Sequence, residues 1–153
     1  MDMITKEYEK AILISIRRRL NDVFDGRKLW EYRKRPPEIK GKMLVVVYDS
    51  NLHAIAGEFA VNRMLRGFID EIISQTIKET TSPEKALRDY FEGTEICSAL
   101  KIDDPKRYKT QIPLQQIREL VPNFMPPQGY IFLRKDDKKL APLVDMIMKL
   151  RQE

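Results

Sequence analysis

The run Met43-Leu44-Val45-Val46-Val47-Tyr48 leaves less freedom than any other stretch of this chain. Six apolar residues in succession, half of them valine, offer water no polar face. β-Branched side chains favour a pleated backbone, and a strand without polar alternation has to be covered on both sides. Ala11-Ile12-Leu13-Ile14-Ser15-Ile16 reads the same way. Two such strands need a layered fold with a real core, and 153 residues suffice for one.

Shorter elements fill in around these strands. Leu20, Val23 and Phe24 recur at helical spacing over Arg17 to Asp25, and Gly26 is placed to stop that helix. Leu29 to Arg35 alternates as a strand until Pro36-Pro37 breaks it. Asp49-Ser50-Asn51 turns the chain into a strand over Ala54 to Val61, where Gly57 marks a bulge or a close backbone approach. The middle changes period: Ile69, Ile72, Ile73 and Ile77 share a helical face, and Ala86, Leu87, Tyr90 and Phe91 lie on a second helix ending at Gly93. These two helices read as a cover over a barrel mouth. Ile96 to Ile102 is a strand and Asp103-Asp104-Pro105 a turn. Pro113 to Leu120 is a short helix, and Pro126-Pro127-Gln128-Gly129 delivers a last strand, Tyr130 to Leu133. Leu140, Leu143, Val144, Ile147 and Met148 make one stripe on a tail helix over residues 138–151, which packs on this domain or forms a homodimer contact.

The expectation is one α+β domain over residues 1–153: about six strands in a curled, mostly antiparallel sheet with covering helices, the core over residues 11–133 and the tail helix an extension. No apolar run approaches membrane-spanning length, and Met1 to Glu7 lacks a secretory pattern. The single Cys97 forms no internal disulfide, and the cytoplasm is the expected compartment. One His and one Cys exclude the usual structural zinc sites, and no metal or other cofactor is expected.

Charge is unevenly spread. From Arg17 to Lys42 ten basic residues stand against four acids, a net +6, while the remaining 127 residues carry −1. Such a basic field concentrates polyanions, or else merely keeps the protein soluble. Within it, Trp30 and Tyr32 fall on one face of a strand, and Glu31, Arg33 and Arg35 on the other. The charged face is either a solvated edge or a site, because a buried carboxylate beside cations needs pairing.

Gly26-x-Lys28-x-x-Glu31-x-Arg33 resembles the GxKxxExR signature of the ASCH domain family, in the PUA-like superfamily. The flanking Ile14-Ser15-Ile16 and Val45-Val46-Val47-Tyr48 strands, Ile55-Ala56-Gly57-Glu58-Phe59, and Pro126-Pro127-Gln128 before the last strand agree with it. The resemblance implies a small β-barrel with a cleft that carries the motif. It also implies RNA binding near transcription or translation, with one enzymatic branch resembling an amidohydrolase of modified cytidines and another a ribonuclease. The amidohydrolase branch uses a Lys and a Thr three positions later, and here Lys28 is followed at that spacing by Glu31. The hydroxyl nucleophile is missing.

On these grounds Gly26, Lys28, Glu31, Arg33, Arg35, Ser15 and Arg17 are the candidate ligand residues, and Lys28 and Glu31 the candidate catalytic pair. Two guanidinium forks beside a carboxylate suit gripping phosphate, with Glu31 free to accept from a base amine or ribose hydroxyl. Two functions follow. One is an RNA- or nucleotide-binding module. The other is a hydrolase of RNA or modified nucleosides using Lys28 and Glu31.

Overall fold

A computed structural model describes residues 7–153. The long apolar runs lie at the centre of a five-stranded sheet. Its strands are β1 (Lys10–Ile16), β3 (Met43–Asp49), β4 (Ala54–Val61), β7 (Asp103–Pro113) and β8 (Ile131–Phe132), in the order β7-β4-β3-β1-β8. A three-stranded sheet, β2-β6-β5, is built from β2 (Trp30–Arg33), β6 (Cys97–Lys101) and β5 (Met64–Gly67). The sequence suggests about six strands in one curled sheet; the described residues form eight strands in two sheets.

The two sheets are joined by continuous chain. Only Asn62 and Arg63 separate β4 from β5, and only Ile102 separates β6 from β7. Each strand therefore turns a corner from one sheet into the other. The pairings are antiparallel except β1 with β3, which run parallel in register from Lys10↔Met43 to Ile16↔Asp49. Residues 17–42 make the long crossover that a parallel pair needs.

Two-sided burial of the apolar runs is what the residues demand. Ala11 and Leu13 face one cluster, with Leu44, Val46 and Tyr48. Ile12, Ile14 and Ile16 face another, with Val45, Val47, Phe59 and Leu100. The helices α4 (Leu114–Leu120) and α5 (Ala141–Arg151) close the first cluster, through Ile117 and through Leu143, Val144, Ile147 and Leu150. The stripe on the tail helix is therefore buried within this chain. Its last turn is locked by Arg151, which donates from Nε to Glu58 Oε1 at 2.6 Å, while the Tyr108 hydroxyl donates to the same oxygen at 2.9 Å.

Between β1 and β2 lies α1 (Leu20–Phe24), which buries Leu20 and Val23. It stops at Gly26, whose φ of +79° is one that L side chains rarely adopt. The helices α2 (Ile69–Thr76) and α3 (Glu84–Tyr90) do not cap a barrel mouth. Ile72, Ile73, Leu87 and Phe91 pack on the face of the small sheet that carries Trp30, Tyr32, Cys97 and Ala99. The aromatic face of β2 is core.

Gly57 fulfils both readings of a mid-strand glycine. The β4–β7 register shifts beside it, and an added Cβ would lie 2.4 Å from the Lys106 carbonyl oxygen and 2.6 Å from Phe24 Cζ.

Candidate functional site

The charged face of β2 is a buried ion network. Lys28 Nζ donates to Glu31 Oε1 at 3.2 Å, and Arg33 Nε donates to Glu31 Oε2 at 2.8 Å. Arg33 Nη2 lies 2.8 Å from the same Oε2 and donates to the Ser15 carbonyl at 2.7 Å. The alternation of the strand puts Glu31 and Arg33 on one face, and Lys28 reaches them from the turn after Gly26. Lys28 and Glu31 are 6% and 5% exposed. Burial pushes the Glu31 carboxyl up, but the charges and hydrogen bonds of Lys28 and Arg33 outweigh this and hold it below its ordinary value.

This network fixes Arg33 and leaves one side of it free. Nε and Nη2 are engaged, while Nη1 has no partner among the described residues. Arg33 also lines a cleft of about 740 Å3. Ile12, Ile14 and Leu100, all essentially inaccessible, give that cleft an apolar floor. Lys34, Arg35 and Arg66 add cations, Tyr90 and Tyr130 add rings, and Glu92 and Glu95 add carboxylates that pair with no cation among the described residues. Lys34 Nζ sits 5.1 Å from the Tyr90 ring centroid, and Arg66 Nη1 meets the exposed Glu38 at 3.2 Å. Arg35 has no side-chain partner among the described residues.

The residues singled out in sequence thus fall into three groups. Arg33 and Arg35 line the cleft. Lys28 and Glu31 are set back from it and reach it through Arg33, and Ser15 supplies that arginine with a backbone acceptor. Gly26 and Arg17 do not line it. Gly26 shapes the turn into Lys28, while Arg17 is exposed and its carbonyl accepts from Asn51 Nδ2 at 2.5 Å. His53 is an exposed turn residue. Arg66, Tyr90, Tyr130 and the Glu92–Ile96 segment were not anticipated. Tyr130 does follow the Pro126-Pro127 loop foreseen as delivering the last strand, but nothing local in the sequence marks Arg66. No group of three His, Cys, Asp or Glu side chains that could hold a metal occurs among the described residues.

No protein-family profile matches the chain. A curated protein of Zymomonas mobilis, named ASCH domain-containing ribonuclease, is 29% identical over 127 residues, covering 82% of this chain and 85% of that protein. The crystal structure of ASCH from Zymomonas mobilis superposes with a TM-score of 0.78 at 28% identity, over 90% of this chain and 95% of that one. The chain belongs to the ASCH domain family. Two further structures of that Zymomonas protein, one with a tyrosine replaced by phenylalanine and one with a serine replaced by alanine, superpose equally well at 27% and 28% identity. The N-terminal domain of Staphylothermus marinus McrB shares the fold alone, at a TM-score of 0.54 and 12% identity over 87% of this chain and 93% of that one. The α+β architecture with mixed sheets is thus an ASCH-like fold, consistent with the PUA-like superfamily. In this ASCH chain the signature Lys, Glu and Arg form one connected network that ends at the cleft wall.

Proposed function

We propose that this chain binds unpaired RNA in the cleft beside Arg33 and cleaves its phosphodiester links. The observation that carries the reading is Arg33 itself: held on two nitrogens by Glu31 and the Ser15 carbonyl, it lines a cleft with further cations and keeps an Nη1 without a partner among the described residues. A pre-aligned donor stabilises charge that develops on a phosphoryl oxygen without reorganising during the reaction. The name of the Zymomonas relative, a ribonuclease, supports the same class of reaction here.

The volume of the cleft falls in the range of small-ligand sites, so it suits one or two nucleotides. Unpaired nucleotides are splayed into clefts and stacked on aromatic rings, whereas duplex RNA is read across its grooves. Tyr90 and Tyr130 supply the rings. In the reaction the ribose 2′-hydroxyl attacks the adjacent phosphorus to form a 2′,3′-cyclic phosphate, its proton passes to a base, and the leaving 5′-oxygen takes a proton from solvent. Arg33, Arg35 and Arg66 oppose the charge that builds on the phosphorane. Glu92 and Glu95 are the carboxylates of the cleft and serve as candidate bases.

Lys28 and Glu31 act in this scheme as a positioning pair for Arg33, since each is already engaged by the other. The same engagement counts against amidohydrolase chemistry at Glu31, where a free hydroxyl would be needed. A second reading, a recognition module near transcription or translation, is favoured by that internal pairing, which leaves neither group free for proton transfer. Incubation with a labelled single-stranded RNA and the DNA of the same sequence distinguishes the two. Cleavage of the RNA alone, with cyclic-phosphate ends, is expected. Binding without cleavage would overturn the hydrolase in favour of the module, and no binding would overturn both.

A further inference from the structure

Directly opposed residues of antiparallel strands point to the same face of a sheet. In the small sheet Ser98 of β6 is opposed by Arg33 of β2 on one side and by Arg66 of β5 on the other. On its own strand Ser98 lies between Ile96 and Leu100, which share its face by alternation. All four of these neighbours line the cleft. Ser98 therefore lies on the cleft-facing side of this sheet, beneath the side chains that line the cleft. It is 0% exposed, and its hydroxyl has no hydrogen-bond partner among the described residues.

A buried hydroxyl without a partner is costly, and the small sheet could have used an alanine at that position as it does at Ala99. The groups beside it show what it waits for. Among the described residues Arg33 keeps Nη1 without a partner, and Arg66 is held only by Glu38, in a pair whose side chains are 49% and 83% exposed. A guanidinium, a hydroxyl and a second guanidinium in one row across three strands match the donor pattern of a phosphate.

We infer that Arg33, Ser98 and Arg66 form a phosphate subsite in which the Ser98 hydroxyl donates to a phosphoryl oxygen between the two arginines. The ligand draws Arg66 off Glu38 and away from the hydroxyl, while Arg33 stays in its network with Glu31 and the Ser15 carbonyl. The inference rests on the reading that RNA phosphates enter this cleft, and it adds a recognition residue outside the GxKxxExR signature.

Ser98→Ala tests it, because the two possible roles of the hydroxyl predict different pairs of results. Removal of a buried hydroxyl that has no protein partner leaves the melting temperature unchanged or raises it. Loss of a donor to a charged phosphate weakens the affinity for a fluorescein-labelled RNA hexamer roughly tenfold in anisotropy titrations. Both results together are expected, and Arg66→Gln should weaken binding as well. An RNA affinity of Ser98→Ala within twofold of wild type overturns the subsite, as does a fall in melting temperature with unaltered affinity. If wild type binds no RNA, the RNA reading fails and inorganic phosphate decides the subsite separately. Phosphate that raises the melting temperature of wild type but not of Ser98→Ala upholds it, and phosphate without effect on either overturns it.

Discussion

Glu31 carries more than any other single side chain in the proposed site. It accepts from Lys28 and Arg33 at once, and those two cations hold its carboxyl low against the opposing effect of burial. A carboxylate with a depressed folded pKa contributes stability above its unfolded value, and that contribution is lost as the pH falls through the folded one. Native stability is therefore expected to drop as the pH goes below the ordinary carboxylate range of about 4. Glu31→Gln should flatten this acid limb in urea titrations at stepped pH. The same substitution strands Lys28, and breaking one side of a buried pair costs roughly 3 kcal/mol near neutrality. Much of this was legible in the sequence: the alternation of β2 put Glu31 and Arg33 on one face, apart from Trp30 and Tyr32. Which charged groups face the cleft was not legible. Lys28 and Glu31 satisfy each other internally, and a pairing distance between side chains cannot be read from spacing alone.

Among the elements, the strands with strong patterns were visible and the weak ones were not. β1 and β3 are apolar throughout, and α5 shows a clean stripe. β5 is four residues long, too short to establish a period, yet it delivers Arg66. β7 reads as polar because it lies at the edge of its sheet: over Asp103–Pro113 only Tyr108 and Ile112 are buried, and an edge strand tolerates Pro105. Its contact with β4 can be tested at Gly57. An added methyl there meets the Lys106 carbonyl and the Phe24 ring, so Gly57→Ala should destabilise by about 2 kcal/mol. A lowered urea midpoint at unchanged slope is the expected signature. The tail helix is tested at its anchor. Arg151→Met leaves Glu58 buried without its cation and should cost about 3 kcal/mol, with earlier amide exchange in α5 than in β3.

For the molecule as a whole, the basic segment recognised from its charge contributes only part of the cleft. Arg33, Lys34 and Arg35 come from it, Arg66 comes from outside it, and Arg17 to Arg19 are exposed elsewhere. If three or four of these cations each neutralise one phosphate, the logarithm of RNA affinity should fall with the logarithm of salt at a slope of about −2 to −3. Arg35→Ala, which removes no side-chain hydrogen bond among the described residues, should make the slope shallower by about 0.7. A slope near zero would show that phosphate contacts do not drive binding. The topology explains why the site was hard to assemble from sequence: its wall comes from β2, β5 and β6 and its floor from β1 and Leu100 of β6, and Ile12 and Leu100 lie 88 positions apart in the chain.

The role proposed for Arg33, held by Glu31, is to act on an RNA phosphodiester in this cleft. It is tested most directly by the single-turnover rate of RNA cleavage by Arg33→Ala beside wild type, with folding of both verified by thermal melting. A rate at least about 100-fold lower is expected for the variant, the loss typical of removing a pre-aligned charge-stabilising donor. A folded Arg33→Ala protein that cleaves RNA as fast as wild type would contradict it.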